Sequence, residues 1–470
     1  MKLYNNILIA LIVAALSVNG ASAFGFHKNP DNAKKAEKVK NEEYEKAPFT
    51  NDVHSVFSLQ DCVDIAVKYN HSIKAAIYNE DVYKSKIGQA WANYFPTLTA
   101  GIDFSRTSNH YSDAMSYASM HYNMGYLPKV SAGMLLFDFG KTKALADSAK
   151  RMYEASKEDT KENINEIIYD IKSTYYNILF AQAQVKVYED TVKDYELQLT
   201  QAWGFYKLGK KPKLDVVTAE YNLGKAKLNL VKAKNVLEVA KVELSKIMSV
   251  PEYTNYELSD ELTLNKFDES FEEVIERTME VRPELLSAQK NLEAAKMGLR
   301  AARRNFAPDF NLSGGYGNGL GNKYDVTSAQ IGVDLKYESV NLMKVKKQFD
   351  EAKAVYKRTL AEYNDVKDNV YYNVKKTYLE LQTDREAIVI AKLALDEAKE
   401  QYRQAAGRYK AGVGDVIELK DGENTYLNAR LDFYNAMLNY NVTAANLEKE
   451  IGIPLTLSDE KILQISQEDL

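Results

Sequence analysis

The sequence predicts a mainly α-helical protein with a membrane β-barrel, built from a duplicated unit of long coiled-coil helices plus two strands per copy. Three observations predict this class: an N-terminal export signal, an internal duplication, and short two-faced strands between very long helical segments. The 470 residues are 45% hydrophobic and 27% charged, with only 22 Gly and 9 Pro. This composition excludes a mainly disordered chain and favours long uninterrupted elements over a loop-rich β-sandwich.

The charges and the histidines exclude several functional classes. The chain carries 61 Lys and Arg against 66 Asp and Glu, so no excess positive charge is available to neutralise phosphates and we expect no nucleic-acid partner. All five histidines precede residue 122, and no paired-histidine motif, nucleophile elbow or P-loop is present. The Gly-rich run 317–322 lacks the strand and helix that flank a dinucleotide loop, so we expect a flexible loop. The sequence therefore predicts no enzyme activity, no cofactor and no resident metal.

The N-terminus is typical of an exported protein. Residues 1–23 read as a signal peptide, because an apolar run from Ile7 to Val18 is followed by the small residues Ala21–Ala23. The alternative, a membrane anchor, is disfavoured because the run is too short to cross about 30 Å of hydrocarbon. Residues 24–57 are rich in Lys, Glu and Asn and are expected to form a flexible extension. No later window holds 18 consecutive apolar residues, so any membrane segment of the mature chain must be a β-strand.

The remainder of the chain is a duplication. Three segments of the first copy recur in the second: Tyr169–Tyr175 as Tyr372–Tyr378, Ala202–Gly209 as Ala405–Gly412, and Asn93–Pro96 as Asn305–Pro308. The first two pairs are offset by 203 positions and the third by 212, so the first copy carries the longer loop between them. We assign a first repeat to 58–251, a second to 252–454 and a C-terminal tail to 455–470.

Each copy is predicted to contain a helix, two strands, a very long helix, a tight turn and another helix. The helices are expected at about 58–94, 140–207 and 214–249, and at about 268–306, 340–410 and 415–450. A seam that steps by four and three, as in a coiled coil, is formed in the first copy by Ile164, Ile168, Ile171, Tyr175, Ile178, Gln182 and Val185. The matching seam of the second copy holds Tyr371, Val374, Tyr378, Leu381 and Ile388. On the helices alone, an ordinary coiled coil without a channel remains an alternative.

The short segments between the helices alternate apolar and polar residues, which is typical of strands with two different faces. We expect strands at about 97–106 and 129–138, and at about 309–316 and 327–337. The residues predicted to face lipid are Leu98, Ile102, Phe104, Ile331, Val333 and Leu335. A small soluble sheet packed on the helix ends is the alternative. Four strands cannot close a barrel, so a membrane barrel requires oligomerisation, and two copies give eight strands while three give twelve.

The combination of motifs resembles the TolC-like outer-membrane efflux proteins over about residues 58–454. The motifs that carry the resemblance are Phe57–Leu59, Asn93–Leu98, Leu136–Gly140 and Arg408–Gly414. The resemblance implies a homotrimer with a 12-stranded β-barrel in outer-membrane lipid above a periplasmic α-helical barrel. It also implies a passive exit duct for a tripartite efflux or type I secretion system, working with an inner-membrane transporter and a periplasmic adaptor. The competing hypothesis is an exported periplasmic coiled-coil scaffold protein without a channel.

The resemblance also implies where the functional residues lie. The two helix–helix turns are expected to be periplasmic tips that dock the adaptor, with Gly209, Lys210, Lys211, Gly412 and Val413 as contact residues. An acidic ring at the closed entrance is expected from Asp215, Glu418 and Asp421, of which the last two share a helix face; a solvated helical face is the alternative. Gly414 stands where the family has a tip arginine, and the second copy ends its strand pair at 337–342 without the family's Phe-Asp ending.

Overall fold

The computed structural model describes residues 55–110, 120–250, 256–264, 267, 269–321, 325–337 and 342–452. The predicted signal peptide, most of the predicted extension and the predicted C-terminal tail lie outside the described residues. The elements are, in order, β1 Ser55–Phe57, α1 Leu59–Tyr69, α2 His71–Trp91, β2 Thr97–His110, β3 Met120–Phe137, α3 Lys141–Lys207, α4 Lys213–Ile247, β4 Tyr256–Leu258, α5 Phe271–Val281, α6 Pro283–Arg304, β5 Asp309–Gly321, β6 Asp325–Lys336, α7 Leu342–Lys410 and α8 Val416–Ile451. No helix in the described part of the chain is apolar over enough of its length to cross a membrane.

The long helices form two hairpins, α3 with α4 and α7 with α8. α3 has 67 residues and α7 has 69, which at 1.5 Å per residue makes each helix about 100 Å long. The predicted seam of α3 is buried from Ile164 to Ile178, and its last two members, Gln182 and Val185, are partly buried. In the seam of α7, Val374, Leu381 and Ile388 are buried and Tyr371 is 40% exposed. Both long helices therefore bury a stripe of mainly Ile, Val, Leu and Tyr residues at coiled-coil spacing.

The first helix of each copy is broken in two, where the sequence predicted one continuous helix. Asn70 ends α1 and caps α2, because its side chain accepts hydrogen bonds from the backbone of Ser72 and Ile73 and donates to the carbonyl of Ile247 at 2.7 Å. Arg282 is the break in the second copy, because Pro283 disfavours helical geometry in the residue before it and opens α6 at its first position. The two breaks are separated by the same 212 positions as the repeated strand entrances.

The four long strands form one antiparallel sheet in the order β2-β3-β5-β6. β2, β3 and β5 extend several residues beyond the predicted ends, and the Gly-rich run to Gly321 is part of β5 instead of a flexible loop. Gly317 pairs with Lys129 on one side and Ser328 on the other. Because glycine has no side chain, the alternation of apolar and polar residues disappears from the sequence in this run, although the strand pairing continues.

The prediction that residues 24–57 form a flexible extension is wrong for the last three of these residues. Ser55–Phe57 form β1, which pairs in parallel with β4 of the second repeat. The backbone amide of Ser259 donates to the carbonyl of Phe57 at 3.1 Å, and the Phe57 ring lies 5.6 Å from the Tyr256 ring. This short stretch is ordered by its pairing with a distant segment. Three residues are too few to show the alternation by which a strand is predicted from sequence.

Two hydrophobic clusters form most of the core: one is built largely from the first repeat and includes Tyr256 and Leu438 of the second, and the other lies within the second repeat. A third, small cluster of Ala202, Val216 and Ala219 lies near the first tip.

The repeats are also joined by Arg282, whose side chain is only 5% exposed. Its guanidinium lies within 3.4 Å of carboxyl oxygens of Glu162, Glu284 and Glu450 and donates to the carbonyl of Lys449. A buried cation with several acidic partners fixes how the two copies meet.

Candidate functional sites on the sheet and the helical tips

One face of the sheet is apolar across all four strands. The register places Leu98 beside Ala132, Ala132 beside Gly314, and Gly314 beside Ile331. A second row runs from Met134 through Leu312 to Val333, and a third joins Phe137, Phe310 and Leu335. Leu98, Ile102, Val333 and Leu335 are all more than half exposed, and Ile331 is 83% exposed. Phe104 occupies the same face of β2 by register, and its side chain lies outside the described ones.

The opposite face is polar and rich in small residues. Lys129 on β3 pairs with Asp103 on β2 at 2.5 Å, and the Ser313 hydroxyl donates to Asp334 at 2.6 Å. Thr97, Thr99, Ser131 and Gln330 share this face with glycines 101, 133, 315 and 332. The sheet therefore has one side suited to an apolar medium and one suited to water.

The Asp138 carboxylate stabilises the connection between strand β3 and helix α3. It is buried, accepts a hydrogen bond from the hydroxyl of Tyr94 at 2.7 Å, and caps α3 by accepting from the backbone of Gly140 and Thr142 at 3.0 and 2.6 Å. Gly140 has φ +86°, and a side chain there would press on Arg304. These contacts explain the Leu136–Gly140 motif. The corresponding exit in the second copy, residues 338–341, lies outside the described residues.

The two predicted tips have the same backbone. Gly209 and Gly412 both have positive φ, +69° and +79°. In the first turn the amide of Lys210 donates to the carbonyl of Phe205 at 2.9 Å, and in the second the amide of Val413 donates to the carbonyl of Arg408 at 3.1 Å. This is the left-handed helix ending that glycine favours. Lys210 and Val413 are exposed at these ends, and Val413 is 75% exposed.

The two tips are in contact through Lys211. Its ammonium group donates to the carbonyl of Gly414 at 3.4 Å and lies 5.9 Å from the centre of the buried Tyr409 ring. Phe205 packs edge-on against the same ring at 5.9 Å. A side chain at Gly414 would meet the backbone nitrogen of Tyr409 at 2.7 Å. A side chain at Gly414 would therefore require the backbone to shift, and Lys211 approaches this position from the other tip.

The three predicted ring residues lie in different surroundings. Glu418 and Asp421 are exposed on one face of α8, and Glu418 lies 3.5 Å from the side chain of Arg408. Asp215 is buried in the first turn of α4. The structure thus brings Glu418 and Asp421 together at the surface. Asp215, the counterpart of Glu418 in the first copy, is instead buried between helices.

The sequence reasoning missed Glu423, a buried carboxyl group two residues beyond Asp421. Glu423 is 4% exposed. One of its oxygens accepts a hydrogen bond from the amide of Gln198 at 3.0 Å, and the other has no partner. Burial, together with a smaller contribution from the nearby Asp194, raises the pKa of Glu423 to about 7, against the opposing effects of Gln198 and Tyr195. Its spacing is the signal that could have found it, because Leu419, Glu423, Tyr426 and Arg430 step by four and three.

Comparison with known proteins decides the family. The model of the outer membrane efflux protein family matches residues 63–249 and 274–452, which is most of the chain and includes both repeats. The chain belongs to the outer membrane efflux protein family. This family consists of channel proteins and not enzymes, so the absence of a catalytic constellation in the sequence fits its membership. Its members lie in the outer membrane with a large helical periplasmic part.

Individual relatives are distant but cover most of the chain. The probable efflux pump outer membrane protein TtgC of Pseudomonas putida is 20% identical over 406 residues, 84% of this chain and 83% of its own length. The Campylobacter jejuni CmeC outer membrane channel has a TM-score of 0.74 at 18% identity and covers 88% of this chain and 89% of its own. The open-state MtrE outer membrane channel of Neisseria gonorrhoeae has a TM-score of 0.69 at 21% identity, covering 85% and 91%. This outer membrane efflux protein therefore shares the fold of solved channels.

Proposed function

We propose that this protein is the outer-membrane exit duct of a tripartite efflux or type I secretion system. The observation that carries the proposal is the sheet, whose apolar face is exposed across four strands while its polar face holds ion pairs and hydroxyl groups. The long hairpins continue from this sheet, as expected of a periplasmic conduit. Solutes pass along the water-filled interior, and the energy comes from an inner-membrane transporter through a periplasmic adaptor.

The duct is a homotrimer in this proposal. Among the described residues, no further strand pairs with the outer edges of β2 and β6 in the four-stranded sheet, and free strand edges are not tolerated in hydrocarbon. Three copies of the four-stranded sheet give a 12-stranded barrel, within the range of outer-membrane barrels. Leu98, Ile102, Phe104, Ile331, Val333 and Leu335 then face lipid. The scheme starts from a mature chain that begins at Phe24 after removal of the signal peptide.

The tips and the acidic residues have separate roles. Gly209, Lys210, Lys211, Gly412 and Val413 form the adaptor-docking tips, which is supported by their place at the outermost turns of both hairpins. Glu418 and Asp421 bring six carboxylates to the entrance of a trimer, where they attract cations. Asp215, which is buried here, joins them only if the hairpins move apart. Opening consists of an outward swing of the hairpin that carries α7 and α8.

Membrane fractionation tests the proposal. The mature protein should be recovered from outer membranes as a detergent-resistant oligomer that contains β-sheet by circular dichroism and conducts ions in a planar bilayer. A matched pair of variants checks the orientation of the sheet: Ile331→Arg should prevent stable assembly, at a cost of about 2–4 kcal/mol in mid-membrane, while Gln330→Arg on the polar face should assemble. Recovery as soluble rods without conductance would refute the proposal.

A further inference from the structure

A buried polar cluster lies between α3, α7 and α8, and its centre is two residues beyond Asp421 of the proposed acidic ring. Its centre is Glu423, and Gly422 lets α8 approach α7 so closely that a side chain there would meet the Cα of Tyr402 at 3.4 Å. The ring of Tyr402 stacks on Tyr426 of α8 at 5.6 Å with an angle of 9° between the planes. The carboxyl group is thus enclosed by three helices that belong to both hairpins.

No cation compensates this carboxyl group in the described part of the chain. Arg430, two turns further along α8, is held by Asp190 at 3.1 Å and also lies over the ring of Tyr426. The titratable groups that face Glu423 are Asp194 and Tyr195 on α3 and Tyr402 on α7. Asp190, Lys193 and Arg430 act on Asp194, and Tyr426 of α8 stacks on Tyr402. Burial also raises the pKa of Asp194, and Asp190 adds to that shift.

The equivalent position in the first copy is different. The offset of 203 relates Glu423 to Glu220, which is exposed on α4. The same residue type is therefore hydrated in one hairpin and enclosed in the other. A buried carboxylate with an unpartnered oxygen is costly, whereas the neutral acid is tolerated. Glu423 is suited to a role that depends on its protonation, and Glu220 is its matched control.

We propose that Glu423 is a proton-operated latch: when protonated it holds α8 against α3, and when ionised it loosens this contact and favours opening of the tips. This inference rests on the exit-duct proposal, because it assigns a regulator to the opening of that duct. The latch couples the two hairpins through the Gln198 contact, at a point where α8 must leave α3 if it swings outward.

The direction of the pH dependence follows from the two states of Glu423. Below its ordinary pKa of 4.5 the group is protonated in both the closed and the open state and has no effect. Between 4.5 and about 7 the closed state keeps the proton while the open, hydrated state loses it, so opening becomes easier as pH rises. Above about 7 both states are ionised and the effect is complete. One proton changes the open-to-closed ratio by at most about tenfold per pH unit.

Single-channel recording between pH 5 and pH 8 tests the latch, using the full mature protein, Glu423→Gln and Glu220→Gln. The unaltered protein should open at least about tenfold more often at pH 8 than at pH 5. Glu423→Gln should remain as closed at pH 8 as the unaltered protein is at pH 5, and Glu220→Gln should follow the unaltered protein. The latch would be overturned if Glu423→Gln kept the pH dependence of opening, or if Glu220→Gln abolished it equally. Neither result would contradict the exit-duct proposal.

Thermal unfolding gives a second test that needs no channel activity. Glu423→Gln should match the unaltered protein at pH 5 and unfold at a higher temperature at pH 8, because only the ionised Glu423 destabilises the closed contact. Glu220→Gln should match at both pH values. Equal unfolding temperatures of Glu423→Gln and the unaltered protein at pH 8 would overturn the latch. If none of the three proteins conducts, the exit-duct proposal fails, and the unfolding comparison decides about Glu423 by itself.

Discussion

The two helical hairpins have nearly the same backbone at their tips but reverse the surroundings of their acidic residues. Asp215 is buried in the first hairpin while its counterpart Glu418 is exposed in the second, and Glu220 is exposed while its counterpart Glu423 is buried. Both turns end in a glycine with positive φ at the repeat offset of 203. The two copies therefore share the glycine that the left-handed turn requires, whereas the burial of the equivalent acidic side chains differs.

The difference arises from the neighbours of each hairpin. α8 packs against both α7 and α3 of its own chain, so that its seam, including Glu423, is enclosed. α4 packs against α3 and leaves Val217, Tyr221, Leu228 and Val231 at least half exposed. Burial at a repeated position is thus decided by which helices it meets. Substitutions at paired positions test this view directly.

The largest difference is expected between Gly414 and its counterpart Lys211. In Gly414→Ala the added carbon would meet two backbone atoms, the nitrogen of Tyr409 at 2.7 Å and the carbonyl carbon of Arg408 at 2.9 Å. We expect this variant to destabilise the tip by about 3 kcal/mol, at the upper end of the range for overpacking. Lys211→Ala loses only a long hydrogen bond and a cation–π contact, worth about 1 kcal/mol or less. Limited proteolysis of both turns measures the effect, and equal cleavage rates of the two variants would contradict it.

An intermediate and equal effect is expected at the paired glycines. Gly209→Ala and Gly412→Ala have open space around the added carbon, so the cost is that of a left-handed backbone in a non-glycine residue, about 1–2 kcal/mol each. Hydrogen exchange of the two turns measures the local stability. Unequal losses would show that the turns differ in more than their side-chain environment.

The smallest effect is expected at the proposed acidic ring. Glu418→Gln combined with Asp421→Asn should raise single-channel conductance or weaken block by multivalent cations, because both carboxylates attract cations to the pore mouth. The effect should be only a few fold, since dissolved salt screens exposed charges. Asp215→Asn should change the block less in the closed protein, since that side chain is buried. Titration of the block with a trivalent cation measures both, and the ring assignment fails if the double variant behaves as the unaltered protein.

Local periodicity predicted the helices well and long-range contacts poorly. The predicted ends of α3 agree with the structure to within one residue because the seam and the terminal glycine are local signals. The break at Asn70 depends on a hydrogen bond to Ile247, and β1 depends on pairing with β4, so neither is visible in nearby residues. The burial of Glu423 is an intermediate case. Its position on a coiled-coil seam can be read from the sequence, but the lack of a cationic partner among the described residues cannot.

The orientation of the sheet is the central claim, and site-directed spin labelling in lipid vesicles tests it most directly. The only native cysteine, Cys62, is buried, so single labels introduced at residues 330 and 331 report on the two faces separately. We expect the label at Ile331 to be relaxed by lipid-soluble oxygen and the label at Gln330 by a water-soluble nickel chelate. If both labels respond to the chelate alone, the apolar face does not meet lipid and the exit-duct account is wrong.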